Sequence, residues 1–351
     1  MVGIYQTNMG NKMDKLQDNL FEIMQYKSQE ILPTSLKIDD PFLFNFSYSG
    51  GTEHMAKTFN NTIAKKLYKL NNYQCIIIPG ISTKTVDQVI NGQDVILWMH
   101  ILVKQVSPAL KETLYNYKFL EKIKYFVVVS NYQKNELIKE LNVNPEKIVV
   151  IHNFVNPIKN DIERFKNFDK IKMIHTSTSN RGMSIILNSL KQIEEDFELN
   201  IFNDFNPDIN YNSSFDSFFN DKRVNFYGPT PRKVLQKYIA ESHIYLNPTI
   251  WDETFCISQA EAIGANCLSV YNNVGSLEEI SFGHGIFYKS KYETKEDFQY
   301  HINVFSKKLK DAIKIIKNKD FNPENQSKDI YNNFSLEIFK NSWKRFHDEK
   351  L

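Results

Sequence analysis

Hydrophobic positions in the first half of the chain form short apolar runs separated by segments of helical period. The runs predict strands at residues 42–46, 74–78, 95–100, 125–129 and 148–152. The periodic segments between them predict helices at about 53–70, 83–90, 109–123 and 130–141. The run at 95–100 is almost entirely apolar, which is typical of a strand covered on both faces. Strands and helices that alternate in this order imply a parallel, doubly wound sheet.

The same alternation restarts after residues 153–170, which are polar and weakly patterned and which we interpret as a linker. It predicts strands at 172–175, 198–202, 224–227, 244–246 and 267–270, and helices at 183–193, 231–240 and 257–264. From about residue 296 the chain is charged and helical, and its last helix at 335–348 is amphipathic with Phe339, Trp343 and Phe346 on one side. The pattern therefore predicts a second doubly wound domain followed by helices.

A chain of 351 residues is long enough for two domains. We divide it into an N-terminal helical extension (1–41), a first Rossmann-like domain (42–165), a second (166–325) and a C-terminal helix (326–351) that we expect to pack back on the first domain. Within the extension, residues 11–32 have a rough helical period, and Asp14, Asp18 and Glu22 on the polar side favour packing on protein over docking on a membrane.

Composition excludes several classes of partner and location. The net charge is +2 with no basic stripe, so nothing indicates nucleic acid as a partner. The odd number of cysteines, three, predicts neither a disulfide framework nor a zinc site, and no metal is expected. No apolar run approaches the ~20 residues that span a bilayer, and residues 1–10 lack the features of a signal peptide. We therefore expect a cytoplasmic location, without indicated membrane contact.

Two carboxylates eight positions apart, Glu253 and Glu261, carry the strongest chemical signal in the chain. Glu253 follows an apolar run and Glu261 lies in a segment of helical character, so the order is strand, tight loop, helix. The start of such a helix offers unpaired backbone amides and a partial positive charge to an anion such as a diphosphate. A carboxylate roughly 7 Å along the helix, at ~1.5 Å per residue, then reaches a hydroxyl of the same ligand.

Three further signals follow predicted strands, where open parallel sheets bind ligands. Gly50 and Gly51 allow close backbone approach, although the alternative is an ordinary turn. The segment 177–182 (STSNRG) with Arg181 suits phosphate oxygens, although it also fits a capped helix with a solvated arginine. His100 ends the buried strand and faces the predicted crevice, although it also fits a satisfied core histidine.

Residues 225–280 resemble the retaining GT-B glycosyltransferases of family 4, the group-1 glycosyltransferases. Their signature, Glu-x-Phe-Gly-x4-Glu-Ala-x-Ala-x-Gly, is matched here by 253–266 (ETFCISQAEAIGAN) after Pro248-Thr249. Residues 128–153 look like the end of the family's N-terminal domain, and 177–182 resembles a Ser-x-x-Arg-Gly variant of its phosphate loop. The resemblance covers most of residues 42–285 and implies two Rossmann-like domains facing a crevice, with the acceptor bound on the first domain.

The resemblance also implies residue roles. Glu261 would hold the ribose of a nucleotide donor, Glu253 would lie by the donor sugar and Arg181 would neutralise the departing diphosphate. His100 would sit near the sugar. The remaining donor contacts would come from Gly50, Gly51, Ser177, Tyr227, Gly228, Pro229, Thr254, Phe255, Cys256 and Ile257. Among the departures from the family pattern, Cys256 and Asn266 replace glycines, and Leu268 replaces a proline that follows the signature in the family.

The function implied is retaining, metal-independent sugar transfer in glycan biosynthesis. The donor would be a nucleotide-diphosphate sugar such as a UDP- or GDP-sugar, the acceptor a glycan or other hydroxyl compound, and no cofactor is expected. Asn266 is compatible with the left-handed conformation of the glycine that it replaces. Cys256, in contrast, places a side chain where the family's backbone approaches the sugar. Two alternatives stay open: a nucleotide-sugar epimerase or phosphorylase of the same fold, and a non-catalytic sugar-nucleotide-binding protein.

Overall fold

A computed structural model describes residues 51–64, 73–78, 94–159, 162–202, 221–228, 230–290, 293–323 and 325–351. The predicted helix at 11–32, the strand at 42–46 and the helix at 83–90 lie outside these residues. The described residues contain no helix long and apolar enough to cross a membrane.

The first sheet has four described strands, all parallel, in the order β1-β2-β3-β4. They are β1 (Tyr73–Ile78), β2 (Asp94–Met99), β3 (Ile123–Val128) and β4 (Ile148–Val150). The helices of this half are α1 (Gly51–Phe59), α2 (Pro108–Leu114), α3 (Tyr117–Lys122) and α4 (Asn131–Leu141). Four of the predicted strands are thus present within two residues of their expected ends.

One predicted helix of this half, at 109–123, is wrong in extent. The chain forms two helices, because Asn116 interrupts the first and its side chain accepts a hydrogen bond from the Phe119 amide at 3.3 Å to start the second. Ile123 then opens β3 instead of ending a helix. Ser130, in contrast, caps α4 as expected, since its hydroxyl accepts from the Gln133 amide at 3.1 Å.

The second sheet has six described strands, all parallel, in the order β10-β9-β8-β5-β6-β7. The strands are β5 (Ile171–His175), β6 (Phe197–Ile201), β7 (Val224–Phe226), β8 (Ile244–Asn247), β9 (Leu268–Asn272) and β10 (Ile286–Tyr288). The strand order reverses between β5 and β8, which pair directly. In open parallel sheets ligands bind at the carboxyl ends of the strands beside such a reversal, so the topology itself points to the loops after β5 and β8.

The helices of the second half cover this sheet and return to the first. They are α5 (Met183–Leu190), α6 (Arg232–Glu241), α7 (Ile257–Gly264), α8 (Leu277–Ser281), α9 (Lys295–Lys317), α10 (Gln326–Phe334) and α11 (Leu336–Lys350). The sequence pattern missed α8 and β10, which are only five and three residues long. Both domains are of the doubly wound parallel class predicted from the strand–helix alternation.

The last helix, α11, packs on the first sheet. The Trp343 ring lies 5.0 Å from the Trp98 ring of β2 and 4.5 Å from Phe59 of α1, as measured between centroids. Phe339 is buried in the same cluster, which also takes in Phe255 from the second half of the chain. The exact domain boundaries proposed above stay predictions, but an apolar core shared by both halves ties them together.

The segment after β4 differs from a solvated linker. Phe154 and Val155 are buried in that shared core, and the Val155 amide donates to the Phe334 carbonyl at 2.8 Å. Farther on, Arg164 donates from Nη2 to the Ala265 carbonyl at 2.7 Å. The connection between the two sheets is therefore fixed along much of its length by contacts that its polar composition did not reveal.

Candidate functional site

The strand–loop–helix unit that carries the two glutamates has the predicted form. Strand β8 ends at Asn247, Cys256 is the N-cap and α7 runs over Ile257–Gly264, as predicted from the sequence. Glu253 lies in the loop and Glu261 on the helix. The unit stands beside the reversal point of the second sheet, so its helix start faces the edge where a ligand is expected.

Arg181 and Glu253 meet across this reversal point. Arg181 follows β5 and donates from Nη1 to Oε1 of Glu253, which follows β8. The guanidinium also stands 4.6 Å from the centre of the Trp251 ring. Burial raises the pKa of Glu253, and the charge and hydrogen bond of Arg181 oppose that rise. The structure thus brings together two residues that are far apart in sequence and predicted to share one site.

The Glu253 loop is held from behind by a turn after β9. Gly275 has φ 64°, and a Cβ added to it would lie 2.3 Å from the Glu253 carbonyl oxygen. The Ser276 amide donates to that same oxygen at 2.8 Å. Only a residue without a side chain permits this approach, so Gly275 supports Glu253. The sequence analysis missed this turn, for which the one signal is a glycine soon after a predicted strand.

The same loop also bonds to the first domain. The Thr254 hydroxyl donates to the His100 carbonyl at 2.6 Å. Gln105 donates from Nε2 to the Asp252 carbonyl at 2.8 Å, and Lys104 forms an ion pair with the Asp252 carboxylate at 2.5 Å. These contacts place the carboxyl end of β2 directly against the loop between β8 and α7. The His100 backbone therefore lies at the contact between the two domains, while a crevice-facing position of its ring stays a prediction.

The His100 ring is buried beside Trp98, with 4.6 Å between the ring centroids. Its Nε2 has no hydrogen-bond partner among the described residues. Burial lowers the pKa of His100 to about 3, so the imidazole is neutral at physiological pH. A neutral ring can donate or accept one hydrogen bond but offers no charge to a phosphate.

Glu261 is paired with an arginine that the sequence analysis did not single out. Its side chain is 4 % exposed, and its Oε1 accepts from Nη2 of Arg232, the first residue of α6. Burial raises the pKa of Glu261, and Arg232 and Gln236 oppose the rise. The side chains of Glu253 and Glu261 are therefore only 13 % and 4 % exposed, and each is matched by one guanidinium.

Cys256 stands between the glutamates as a buried, neutral thiol. Burial raises its pKa to about 12. Its Sγ lies 3.4 Å from the Ser258 hydroxyl and 3.7 Å from Nδ2 of Asn247, and it makes no capping hydrogen bond to the helix. The Ser177 hydroxyl approaches Ser258 at 3.4 Å, which brings the loop after β5 to the first turn of α7.

Gly51 and Phe255 connect this unit to the first half of the chain. A Cβ added to Gly51, the first residue of α1, would lie 2.8 Å from Cδ1 of Ile257, the first residue of α7. The starts of two helices, each with a partial positive charge, therefore approach one another. The Phe255 ring lies instead in the shared core, where it packs edge-on against Phe334 with ring centroids 5.0 Å apart. Gly50 lies outside the described residues.

Tyr227, one of the residues predicted to lie near the base, forms an aromatic surface with Phe202 after β7. Tyr227 stacks on Phe202 with centroids 4.6 Å apart and planes at 6°, and it is 42 % exposed. Gly228 has φ 66°, and an added Cβ would meet nothing within 4 Å. Pro229 lies outside the described residues. Contact of this surface with a nucleotide base stays a prediction.

Asn266 follows α7 with φ 61°, so it holds the left-handed conformation expected for a residue that replaces glycine. Among the residues that the structure describes, no group of three or more His, Cys, Asp or Glu side chains is placed to hold a metal ion.

Two doubly wound parallel sheets, with ligand loops meeting between them, define the GT-B glycosyltransferase fold. Residues 95–159 match the family model of Glycosyltransferase Family 4. The comparison with curated proteins finds no match.

Among solved structures, similarity extends over both domains. A glycosyltransferase from Rickettsia africae is 17 % identical, with a TM-score of 0.59 over 84 % of this chain and 81 % of that one. Sucrose-phosphate synthase from Thermosynechococcus elongatus is 14 % identical, with a TM-score of 0.65 over 92 % and 86 %. Anabaena HepE, crystallised with UDP and glucose, is 14 % identical, with a TM-score of 0.61 over 81 % and 80 %. At these identities the likeness establishes the fold.

Proposed function

We propose that this protein is a glycosyltransferase that moves a sugar from a nucleotide-diphosphate sugar to a hydroxyl group of a glycan or similar acceptor. The observation that carries the proposal is the Arg181–Glu253 pair beside the start of α7, at the reversal point of the sheet. A guanidinium, a helix start and a largely enclosed carboxylate at one sheet edge can bind a diphosphate and the sugar attached to it.

The leaving diphosphate is stabilised by fixed positive charge. Arg181 is already held in place by Glu253 and by Trp251, so it needs little reorganisation when the phosphates arrive. The backbone amides at the start of α7 add their partial charge, and these groups together take the role that a metal ion has in other transferases. We therefore propose transfer without a metal cofactor, with the nucleotide sugar as substrate.

Transfer is proposed to retain the anomeric configuration. The bond between the anomeric carbon and the diphosphate oxygen breaks, and the acceptor oxygen forms its bond to that carbon on the same face. The acceptor proton passes to the departing phosphate oxygen, so no protein base is consumed. Glu253 lies by the sugar in this scheme, and His100, neutral and with a free buried Nε2 among the described residues, contacts a sugar hydroxyl.

The nucleotide is held by the residues farther from the sugar. Glu261, on α7, accepts hydrogen bonds from the ribose hydroxyls. Tyr227, Gly228 and Pro229 lie beside the base. Ser177 and the backbone of 254–257 line the phosphates, with Gly50 and Gly51 opposite them on the first domain.

The test is sugar transfer by the Arg181→Ala and Glu253→Ala variants, with Arg345→Ala and Glu278→Ala as matched controls on exposed positions. Both site variants should lose transfer while their thermal unfolding stays cooperative, and the controls should keep wild-type turnover. Near-wild-type turnover by either site variant would show that the assignment is wrong.

Donor incubated without acceptor separates the alternatives. Release of an epimerised nucleotide sugar would indicate an epimerase instead of a transferase. Release of a sugar phosphate in the presence of inorganic phosphate would indicate a phosphorylase. Nucleotide binding without turnover on any donor and acceptor pair would indicate a non-catalytic binding protein.

A further inference from the structure

Arg232 is built into the site by its position on α6. It is the first residue of that helix, immediately after Pro231, and its Nη2 donates to Oε1 of Glu261 on α7. Gln236 lies four residues farther on the same helix, hence on the same face, and also opposes the rise in the pKa of Glu261. One face of α6 therefore presents two donors to a single buried carboxylate.

The Arg232 side chain is kept in this place at a cost. Its Nε is buried and has no hydrogen-bond partner among the described residues. A buried donor without a partner costs about 1–3 kcal/mol. A buried donor that destabilises the fold is usually retained because it has a function, commonly at a ligand site.

Within the part of the chain that the structure describes, few charged groups surround Glu261 besides this arginine. From α10, Tyr331 faces the carboxylate, but its hydroxyl is engaged by the Ile158 amide at 2.9 Å. From α1, His54 faces Arg232, and burial followed by the charge of Arg232 lowers the pKa of His54 to about 4, so it is neutral. Arg232 is thus the cation that the described residues place against Glu261.

We propose that Arg232 is a positioning residue for the donor, which keeps Glu261 ionised and aimed so that it accepts the ribose hydroxyls. The inference rests on the proposed function, because it assigns a partner to the ribose-binding carboxylate. An ionised carboxylate has about four acceptor sites, so Arg232, Gln236 and two ribose hydroxyls can be bound together. Arg232 then acts through Glu261 and makes no contact with the diphosphate.

The consequence is a donor affinity whose pH dependence is set by Arg232. Without the guanidinium, the buried Glu261 carboxyl takes up a proton more readily and loses its charge-assisted hydrogen bonds to ribose. Because the carboxyl is protonated below its pKa, the loss is greatest at low pH. Affinity recovers as the pH rises through the elevated pKa of the variant.

The experiment compares Arg232→Met and Arg232→Lys with Lys233→Met, a neighbouring exposed lysine. Binding of UDP, GDP and ADP to each full-length protein is measured by calorimetry from pH 5.5 to 9, and affinities are taken relative to wild type at each pH. At pH 6 we expect about tenfold weaker binding by Arg232→Met, the effect of roughly one charge-assisted hydrogen bond. Arg232→Lys should retain most of the affinity and Lys233→Met all of it.

The loss should appear in KM for the donor more than in kcat, since the residue acts on binding. It should also vanish in a Glu261→Gln background, where no carboxylate is left to keep ionised. This double-mutant cycle stays informative even if a single variant is destabilised. It compares Glu261→Gln with and without Arg232→Met, two proteins that both lack the Glu261 charge.

Wild-type-like binding by Arg232→Met at every pH would overturn the inference. So would a loss that is uniform with pH and persists in the Glu261→Gln background, because that would mark Arg232 as a direct phosphate contact. Failure of the wild type to bind any of the three nucleotides would instead refute the proposed function itself.

Discussion

Glu279 offers a sharp test of how the two domains are held together. It belongs to α8 in the second domain, yet its Oε1 accepts from the Asn131 amide at 2.9 Å and its Oε2 from the Tyr132 amide at 3.1 Å, at the start of α4 in the first. The Asn131 side chain (3.0 Å) and Nε2 of His152 (2.9 Å) complete its contacts. A carboxylate at a helix start is favoured by the helix dipole, so this contact clamps one domain to the other.

The Glu279→Gln substitution removes the charge and turns one acceptor into a donor that faces a backbone amide. A net hydrogen bond to a charged group contributes ~1.5–3 kcal/mol and the helix-end charge ~0.3–1 kcal/mol. Glutamine retains one acceptor, so we expect a loss of about 2–3 kcal/mol in the free energy of unfolding. With an unfolding entropy of ~2.1 cal/mol/K per residue over 351 residues, this lowers Tm by about 3–4 °C.

Thermal unfolding followed by calorimetry measures the effect, with Glu278→Gln as control because this exposed carboxylate accepts a hydrogen bond from the Asn273 side chain at 3.0 Å and does not join the two domains among the described residues. Burial alone would raise the pKa of Glu279, but its hydrogen bonds lower it overall below 4.5. The stabilisation is therefore fully present above the unfolded-state pKa and is lost as the pH falls through the lower folded-state pKa. A Tm difference under 1 °C at pH 7, or one that grows below pH 4.5, would refute the reasoning.

Three further outcomes are expected. Gly275→Ala should abolish transfer and destabilise the fold, because its Cβ would collide with the Glu253 backbone. The control Gly283→Ala, at φ 77° with no neighbour within 4 Å, should lose about 1 kcal/mol of stability from backbone strain alone. Turnover and thermal unfolding are measured for both variants, and equal effects would contradict the claim. Trp343→Ala should cost about 3–5 kcal/mol in denaturant unfolding as the cavity opens, and a cost under 1 kcal/mol would show that α11 adds little to the first domain. The Cys256 thiol should resist iodoacetamide at pH 8 in the native protein and react after unfolding, as read by peptide mass spectrometry; rapid native labelling would contradict its burial.

Much of the site unit could be predicted from the sequence because its signals are local. The start of α7 follows from the apolar run and the spacing of Glu253 and Glu261, and the left-handed Asn266 follows from residue type. The place of Arg181 beside Glu253 follows from a general rule, since both come after strands of one parallel sheet.

What the sequence did not reveal depends on contacts between distant segments. Arg232 begins a helix whose facing direction is set by packing, so no spacing links it to Glu261. Glu279 lies in α8, a short helix that the sequence pattern missed, and no local signal links it to the start of α4 in the other domain. The break at Asn116 was missed because helical periodicity continues across it, while the capping hydrogen bond that interrupts the helix has only a weak sequence signature.

The most direct test of the account is binding of UDP, GDP, ADP and their sugars to the wild-type protein and to Glu261→Gln, measured by titration calorimetry with Glu278→Gln as control. The account predicts that at least one of these nucleotides binds the wild type and the control alike. It predicts about tenfold weaker binding by Glu261→Gln, or ~1.4 kcal/mol, from the loss of the ribose contact. No binding to the wild type, or unchanged binding by Glu261→Gln, would contradict it.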